Sequence, residues 1–463
     1  MTRVVTAVCV GAGNRGLDVY GEFALRNPDL LRFLAVAEPN TNRRKKFVNQ
    51  HRIPENNSFD SWVSLFQEKK FAQTAIIATP DKFHFEPTLA ALDMGYDVLL
   101  EKPMATTIEE CKLLVKKAEQ LEKRLQICHV LRYTPFFSQI HQIVQSGRIG
   151  QVVNISLREN VSYFHYAHSF IRGNWHNREK SSPMILAKCC HDLDILYWLV
   201  GAKPVKISSF GSLTHFGPIK VSEGVPDRCT DGCPISETCL YFAPRIYIDI
   251  IPLLRIARKG GTRLTRLITN LALTHPKSVN RLSKIIPPLR QVREYHGWPV
   301  NVITEDFSIE GRLNALQEGP YGKCVYKVDD HDVVDHQVVN IEFENECTAS
   351  LIMHGHSYEE GRTIRIDGTK GTVKGQFLLS GDYLVLHDSL SGKKEVLVQT
   401  GRTDSNHGGG DDGLMHAFVK LISGQKGREP LTSARASLES HLMAFAADKA
   451  RLENQIVNMN EIR

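Results

Sequence analysis

Three short stretches of this chain carry residue types that could do chemistry on a bound ligand. The first is Gly11-Ala12-Gly13-Asn14-Arg15-Gly16, which follows an apolar run and opens a predicted helix. Such glycines permit a tight turn, close approach of the backbone to a pyrophosphate and tight helix packing, while the helix N-terminus attracts phosphates. Glu38 ends the next apolar run, where a carboxylate binds ribose hydroxyls. The pattern predicts a dinucleotide site; the alternative is a glycine turn near a solvated glutamate.

The charge of Glu38 also bears on the choice of cofactor. A carboxylate at this position repels a 2′-phosphate, so NAD(H) is favoured over NADP(H). Arg43 and Arg44 follow closely and leave NADP(H) as the less favoured alternative.

The second stretch is Glu101-Lys102-Pro103, at the end of a predicted parallel strand. It is preceded by Ala78-Thr79-Pro80-Asp81, at the end of another strand, and by His84. Open α/β sheets bind ligands at the carboxyl ends of their strands. A lysine placed there beside a nicotinamide could pair with a substrate hydroxyl and exchange its proton. The alternative is an ordinary solvated lysine, so the prediction for Lys102 rests on its position.

The third stretch is Lys188-Cys189-Cys190-His191-Asp192-Leu193-Asp194, within a helix predicted over Pro183 to Val200. Spacings of three residues place Lys188, His191 and Asp194 on one helix face. Ionisable groups among leucines and isoleucines are costly to bury unless they serve a site. The alternative is a helix with a polar edge at a domain interface.

Two different patterns of elements must position these stretches. Up to about residue 128, short apolar strands alternate with helices of about ten residues, as in βαβ units with a parallel sheet. After Tyr133 longer strands with turn residues between them dominate, including one predicted over Cys324 to Val328. The fold class is therefore α/β: an N-terminal Rossmann domain with a parallel sheet, then an α+β domain with a large, mainly antiparallel open sheet. We expect domains over 1–130 and 131–463, the second with a Cys-containing loop and basic insert at about 222–300.

Five ordered motifs resemble the Gfo/Idh/MocA oxidoreductases, named after glucose-fructose oxidoreductase and inositol dehydrogenase. They are the glycine motif, Ala-Thr-Pro with His84, Glu-Lys-Pro, Arg132-Tyr133-Thr134-Pro135 and the Cys-His-Asp-Leu-Asp helix. The resemblance covers nearly the whole chain except the insert, and implies an open sheet that serves as binding wall and oligomer face. The cofactor-binding residues that it implies, with the rest of the glycine motif, are Gly11, Gly13, Asn14, Arg15, Gly16, Glu38, Thr79, Pro80, His84, Glu101 and Lys102.

The resemblance also implies roles at the substrate. Lys102 and His191 would face the sugar carbon that gives up hydride, Asp194 would hold a sugar hydroxyl, and Arg132 would lie near the domain junction. One position departs from the family pattern: many members have an aspartate four residues before the helix histidine, and here that residue is Ala187.

That departure concerns the proton path. The family aspartate orients the histidine and relays its proton, so the partner of His191 must here be Asp192, Asp194, Lys188 or substrate. The usual Lys-Asp-His relay is therefore in doubt.

The function expected is that of an NAD(H)-dependent oxidoreductase acting on a sugar, glycoside or polyol hydroxyl, with Lys102 and His191 as general acid and base. An alternative is a redox-neutral, NAD-dependent glycosidase. In such an enzyme bound NAD oxidises the sugar transiently, the aglycone is eliminated, and the sugar is then reduced again so that NAD is regenerated. An alternative of another class is a non-catalytic regulatory protein that senses NAD or sugar.

Further residues are candidates for binding. The segment Tyr163 to His176 would suit a sugar pocket, with Trp175 and His176 joining Arg132, Asp194 and Lys188 as substrate-binding residues; the alternative is an aromatic loop packed at the domain junction. Asp335-His336 and His407-Gly408-Gly409-Gly410-Asp411 are candidates without an assigned mechanism.

The cysteines raise the question of a metal. Cys229, Cys233 and Cys239, with Cys324, could close around a structural zinc, although the spacing is not that of common zinc sites. No catalytic metal is predicted.

Composition narrows the class of protein. Of the 57 Lys and Arg in the 463 residues, ten lie between Ile250 and Arg293, where no acidic residue occurs. The remaining 47 face 51 Asp and Glu, so a protein that coats nucleic acid is not expected. This stretch predicts amphipathic helices broken at Pro276, Pro287 and Pro288, packed on the substrate domain or a neighbouring subunit, with binding to an anionic surface as the alternative.

The sequence also bears on location and assembly. No apolar run approaches the roughly 20 residues of a membrane span. We expect no secretory signal, reduced cysteines and a cytoplasmic protein. The family resemblance implies a homo-oligomer, a dimer or tetramer, that forms through the C-terminal sheet.

Overall fold

The computed structural model describes residues 4–217, 221, 223–275, 279, 281–283, 285–400, 406–424 and 430–463. Its first sheet is six-stranded and parallel throughout, in the order β3-β2-β1-β4-β5-β6. The strands are β1 Val5–Val10, β2 Leu31–Ala37, β3 Ser58–Phe59, β4 Thr74–Ile77, β5 Asp97–Leu100 and β6 Leu125–Ile127. This confirms the predicted Rossmann fold.

The helices of this part connect successive strands. A π-helical segment, Asn14–Gly21, leads directly into the first α-helix. The α-helices are α1 Glu22–Arg26, α2 Thr41–His51, α3 Trp62–Gln67, α4 Phe85–Asp93 and α5 Ile108–Gln120. Asn40, Ser61 and Thr107 cap the N-termini of α2, α3 and α5 by accepting a backbone N–H. Such caps fix where a helix begins, because they satisfy amides that have no partner inside the helix.

The second sheet is nine-stranded, in the order β14-β13-β12-β11-β7-β10-β9-β8-β15. Among the strand pairs of the described residues, β7 and β10 alone pair in parallel, which confirms the predicted, mainly antiparallel sheet. The strands are β7 Val152–Ser162, β8 Pro204–Ser212, β9 His336–Phe343, β10 Thr348–Ser357, β11 Gly361–Gly368, β12 Gly371–Leu378, β13 Gly381–Asp388, β14 Lys394–Gln399 and β15 Val457–Asn458.

The remaining α-helices fall before, between and after these strands. They are α6 Pro135–Gln145, α7 Tyr163–Tyr166, α8 Met184–Ala187, α9 Cys190–Val200, α10 Ala243–Tyr247, α11 Ile251–Gly260, α12 Arg263–Thr274, α13 Pro287–Arg293, α14 Val300–Ile303, α15 Ile309–Glu318, α16 Gly410–Ile422 and α17 Ala434–Glu453.

The C-terminal helix α16 returns to the first sheet. Its Leu414, Met415 and Phe418 are fully buried in one apolar cluster with Val5 and Ala7 of β1. Helix α17 packs against α9 and α5, so residues far apart in sequence meet at the junction of the two sheets. The junction is therefore built by both halves of the chain.

Two sequence-based expectations were wrong. The helix over Pro183 to Val200 is broken at Lys188 and Cys189, so α8 and α9 are separate. Residues 324–328 form no strand; only an isolated bridge pairs the preceding Lys323 with Arg228. Cys324 and Val325 are instead buried in a loop, where they line a small cavity with Cys229 and Cys239.

The basic insert forms helices, as its pattern predicts. Leu254, Ala272 and Leu289, from α11, α12 and α13, share a small apolar cluster of their own. Helix α13 begins at Pro287, and the predicted break at Pro276 lies outside the described residues. Among the helices of the described residues, none is both long enough and apolar enough to cross a membrane.

Candidate functional site

The three motif glycines have three different surroundings. A Cβ on Gly11, whose φ is +93°, would lie 2.6 Å from the carbonyl oxygen of Ala78, and one on Gly16 would lie 2.0 Å from that of Gly11. A Cβ on Gly13 would meet no protein atom within 4 Å. Gly11 and Gly16 are thus required by the turn and by helix packing, whereas Gly13 leaves open space at a helix N-terminus. This loop fits a pyrophosphate.

Glu38 lies where the sequence predicts, at the end of β2 and buried. Its Oε2 accepts the N–H of Ala12 at 2.7 Å and its Oε1 that of Asn40 at 2.9 Å. Each carboxylate oxygen keeps a further lone pair for a ribose hydroxyl. Arg44 donates to the carbonyl oxygens of Glu38 and Pro39, which leaves it less able to hold a 2′-phosphate.

Arg15 connects the glycine motif to Glu101 and to helix α16. Its guanidinium pairs with Glu101 through Nε and with Asp411 Oδ1 at 2.7 Å through Nη2, and Tyr20 also donates to Glu101. Burial alone would raise the pKa of Glu101, but the Arg15 charge and the Tyr20 hydrogen bond lower it. Glu101 therefore stays ionised and fixes the backbone next to Lys102, whose N–H it accepts at 3.1 Å. Asn14, also in the motif, is exposed and bonds Asp18.

The segment after β4 is held by hydrogen bonds to backbone. His84 is buried, and its ring nitrogens lie 2.6 Å from the carbonyl oxygen of Pro103 and 2.8 Å from that of Thr79. Thr79 Oγ1 donates to the carbonyl of Phe83. His84 thus ties the Thr79-Pro80 turn to the Lys102-Pro103 turn, which places two strand ends at one edge.

Lys102 and His191 meet at this edge. Lys102 Nζ donates to the carbonyl oxygen of Ala187 at 2.8 Å, one turn before His191. His191 lies in the first turn of α9 and is 6% exposed. Burial, followed by the charge of Lys102, lowers the pKa of His191 well below its usual value. The imidazole is therefore neutral at neutral pH and able to accept a proton.

Both aspartates of α9 form ion pairs with arginines. Asp194 accepts Nε and Nη2 of Arg132 at 2.7 and 2.6 Å, and Asp192 accepts Nε of Arg362 at 2.8 Å. Both aspartates are buried, and burial raises their pKa against the effect of the arginines. Within the described residues, His191 bonds neither carboxylate, and its Nδ1 has no hydrogen-bond partner. These pairs fix α9 on the sheet and beside β6.

The structure does not bring Lys188 to the same stripe as His191 and Asp194. In the break between α8 and α9 its Nζ lies 3.3 Å from a carboxylate oxygen of Glu159 and 3.3 Å from one of Glu360. Burial alone would lower the pKa of Lys188, but these two carboxylates raise it. Lys188 therefore belongs to an internal ion cluster below the site.

Trp175 and His176 are fixed by acidic residues. Trp175 Nε1 donates to Asp81 Oδ2 at 2.9 Å, which joins the aromatic segment to the strand edge of the first sheet. His176 Nε2 lies 3.2 Å from Asp330 Oδ2, in a partly exposed pair. Trp175 thus lies at the edge that carries Lys102, and His176 is bonded away to Asp330.

Two further histidines lie near His191: His129, which the sequence did not single out, and His407, a sequence candidate without an assigned mechanism. His129, just after β6, is fully buried with its ring 5.6 Å from that of His191, and neither of its nitrogens has a hydrogen-bond partner within the described chain. The ring of His407 lies 6.2 Å from that of His191. The strand-end position of His129 was a usable signal, because ligands bind at such ends.

The cysteine loop is compact. Cys229, Cys233, Cys239 and Cys324 line one small cavity together with Arg172, whose Nη2 lies 3.5 Å from Cys229 Sγ. In the part of the chain that the structure describes, no group of three or more His, Cys, Asp or Glu is arranged to hold a metal ion. The structure thus gives no support to a zinc site formed by these residues.

Three family models match consecutive parts of the chain. Residues 5–129 match the oxidoreductase family with NAD-binding Rossmann fold, residues 137–230 a GFO/IDH/MocA C-terminal domain, and residues 301–459 the oxidoreductase family C-terminal alpha/beta domain. The unmatched part contains the basic insert.

Individual relatives match over shorter stretches. Inositol 2-dehydrogenase of Corynebacterium glutamicum is 25% identical over 233 residues, which are 47% of this chain and 61% of that protein. YteT of Bacillus subtilis, provisionally named an oxidoreductase, is 27% identical over 203 residues, 43% of this chain and 47% of YteT. The chain thus spans about half the length of these relatives.

The fold as a whole matches a solved structure. A crystal structure of an oxidoreductase from Agrobacterium radiobacter in complex with NAD+, L-tartaric acid and magnesium superposes with a TM-score of 0.64 at 13% identity, covering 99% of both chains. This likeness concerns the fold alone. Taken with the three consecutive family matches, it agrees with the motifs: the chain belongs to the Gfo/Idh/MocA family of oxidoreductases.

Proposed function

We propose that this protein is an NAD(H)-dependent oxidoreductase that oxidises a hydroxyl of a sugar, glycoside or polyol. One observation carries the proposal: Lys102 and a neutral His191 lie close together at the sheet edge that also holds the open glycine loop. The name of the C. glutamicum relative, an inositol dehydrogenase, supports a polyol or sugar as substrate.

The residues that would hold the cofactor follow from the loop geometry. Gly13 leaves space for the pyrophosphate, and Glu38 has lone pairs for the adenosine ribose. When bound, NAD+ supplies the hydride acceptor. Thr79, Pro80 and Glu101 lie at the same edge, and Glu101 acts on the site by fixing the backbone of Lys102.

Two side chains would handle the proton. His191, kept neutral by its surroundings, accepts the proton of the substrate hydroxyl. Lys102 donates a hydrogen bond to the developing alkoxide from Nζ, whose position is set by the Ala187 carbonyl. Within the described residues, Nζ makes this one hydrogen bond, which leaves two ammonium protons for substrate.

Substrate positioning rests on the residues around this pair. Arg132 holds Asp194 by two hydrogen bonds, so that α9 keeps its place beside β6. Among these residues, Trp175 is the first candidate for substrate contact, since its ring is held at the strand edge by a hydrogen bond to Asp81. Asp194 and His176 would contact substrate only through atoms that their present partners leave free.

The test is turnover of NAD+ on a panel of sugars, polyols and glycosides, followed by NADH absorbance. We expect NADH in step with oxidised product, about 100-fold slower or worse in Lys102→Met and in His191→Asn. Lys116→Met, on the exposed face of α5, is the matched control and should keep wild-type rates. Unchanged rates in both site variants would refute the assignment.

The same panel separates the alternatives. A glycoside consumed without net NADH would indicate a redox-neutral glycosidase, and tight NAD binding without any turnover would indicate a sensing protein. A cytoplasmic location and a homo-oligomer through the C-terminal sheet stay predictions.

A further inference from the structure

Within the described part of the chain, His191 lacks the carboxylate partner that a histidine base usually has. Asp192 is bonded to Arg362, Asp194 to Arg132, and the position one turn earlier is Ala187. Among the described residues, the rings beside His191 are those of His129 and His407. A proton accepted by His191 must therefore leave by another route, since a buried imidazolium beside Lys102 is disfavoured.

His407 has the partner that His191 lacks. Its Nδ1 lies 2.9 Å from Asp411 Oδ2, while the other oxygen of Asp411 accepts Arg15 Nη2 at 2.7 Å. Asp411 is 6% exposed, whereas the His407 side chain is 39% exposed. A carboxylate on Nδ1 fixes the ring and its tautomer and leaves Nε2 to accept a proton. His407 thus lies between His191 and solvent.

The backbone around His407 is built for this placement. His407, Gly408 and Gly409 have φ of +50°, +56° and +86°, a run in the left-handed region that costs free energy for a non-glycine residue. A Cβ on Gly408 would lie 2.7 Å from the ring of Phe377, and one on Gly410 would lie 2.4 Å from the Val130 carbonyl oxygen. The turn is therefore locked between β12 and the segment that follows β6.

We propose that His407, oriented by Asp411, is a proton-relay residue that carries the reaction proton from His191 to solvent. The proposal rests on the proposed function. The substrate hydroxyl gives its proton to His191 while the same carbon gives a hydride to NAD+, which leaves a carbonyl product. His191 then passes that proton to His407 Nε2, His407 releases it to water, and both imidazoles return to their neutral forms.

The separation of the rings suits a bridged transfer. Ring centres 6.2 Å apart exceed the reach of a direct hydrogen bond between ring nitrogens and suit one bridging hydroxyl or water. A water, or a second hydroxyl of the substrate that is not oxidised, would fill that place. Because His407 acts through His191, it is a positioning and relay residue, and a loss of His407 alone should slow turnover without removing the base.

Several charged groups face this relay. Asp411 faces His407 from α16 and Arg15 faces Asp411 from the π-helical segment. His191 faces it from α9, and beyond His191 lie the charges of Lys102 and Arg362. On the segment after β6, Arg132 pairs with Asp194, and the Tyr133 hydroxyl shares a hydrogen bond with that of Thr432. From β12, the ring of Phe377 packs beside Gly408. Asp411 is thus the one acidic group among these that contacts His407.

The kinetic test uses His407→Asn, since asparagine tolerates the left-handed backbone at this position. We expect kcat near pH 7 to fall about 100-fold, with KM and the Kd for NAD within about twofold of wild type, and added imidazole to restore much of the rate. The loss should shrink as pH rises, because hydroxide and buffer then accept the proton. His416→Asn, on the exposed face of α16, is the matched control and should change none of these.

A second readout needs no turnover. In cofactor-free protein with 15N-labelled histidine, His407 should carry its proton on Nδ1, and Asp411→Asn should change that tautomer balance. His407→Gln repeats the kinetic test if the asparagine variant unfolds. Wild-type rates and pH profile in either folded variant, or a His407 that is unaffected by Asp411→Asn, would overturn the relay. Absence of wild-type NADH formation would instead overturn the proposed function.

Discussion

Gly13→Ala separates the cofactor role of the glycine loop from its structural role. Gly13 has φ of −76° and ψ of −163°, an extended conformation that alanine adopts. A Cβ there would meet no protein atom within 4 Å, so the folded chain has room for it. The methyl group would nevertheless occupy the space through which a pyrophosphate must approach the backbone.

The two effects have opposite signs. Alanine at a compatible backbone position reduces unfolded-state entropy and should leave stability unchanged or raise it by about 0.4–1 kcal/mol. The obstruction should weaken NAD binding about 10- to 100-fold, which corresponds to about 1.4–2.8 kcal/mol. In Gly16→Ala the Cβ would lie 2.0 Å from the Gly11 carbonyl oxygen, and that variant should lose about 1–3 kcal/mol of stability or more.

The assay pairs calorimetric titration of NAD with thermal unfolding of the cofactor-free protein. Gly217→Ala is the matched control, because its Cβ also meets nothing within 4 Å and Gly217 lies outside the loop. It should keep wild-type affinity. A folded Gly13→Ala variant that binds NAD as tightly as wild type would refute the placement of the pyrophosphate.

Three further predictions test the surroundings of the site. Asp194→Asn leaves the charge of buried Arg132 unpaired and should cost about 3–5 kcal/mol in urea unfolding, whereas loss of an exposed pair in Arg435→Gln should cost under about 1 kcal/mol; equal costs would contradict the first. Burial lowers the pKa of His441 to about 3, so between about pH 6.5 and pH 3 only the unfolded chain takes up this proton, and the free energy of unfolding decreases as the pH is lowered. In His441→Gln this decrease should be shallower by about 1.4 kcal/mol per pH unit, and an unchanged slope would count against a neutral buried ring. Glu38→Gln removes the repulsion of a 2′-phosphate and should narrow the preference for NAD over NADP about tenfold in paired Kd measurements, with an unchanged ratio as the contrary result.

The elements that are fixed by local chemistry agree with the sequence. Helix Phe85–Asp93 and strand Asp97–Leu100 belong to the predicted alternation of short apolar strands with helices of about ten residues. A buried apolar run needs no distant partner to be recognised as a strand or helix face. The glycine motif was equally readable, since each glycine answers a local steric need.

Features that depend on distant partners could not be predicted. At the break between α8 and α9, Lys188 pairs with Glu159 of β7 and with Glu360, which precedes β11. The spacing of residues along a helix cannot reveal ion-pair partners that come from distant parts of the chain. The predicted face shared by Lys188 and His191 failed for this reason.

The place of His407 is the clearest case. His407 and Asp411 stood out in the sequence as a glycine-flanked pair without a role, because nothing local connects them to Arg15, which lies at the other end of the chain. Only the return of α16 to the first sheet brings them to His191. A contact between residues so far apart in the chain has no signature in one sequence.

The most direct test of the account follows the hydride itself. A substrate found by the NAD+ panel is prepared with deuterium on the carbon that is oxidised, and the reduced cofactor is analysed by mass spectrometry. Direct hydride transfer from that carbon to NAD+ should place deuterium in the NADH formed by the wild type, in step with product, and almost none in the same time with Lys102→Met. Turnover that leaves all deuterium on the substrate carbon, with no label in NADH, would contradict it.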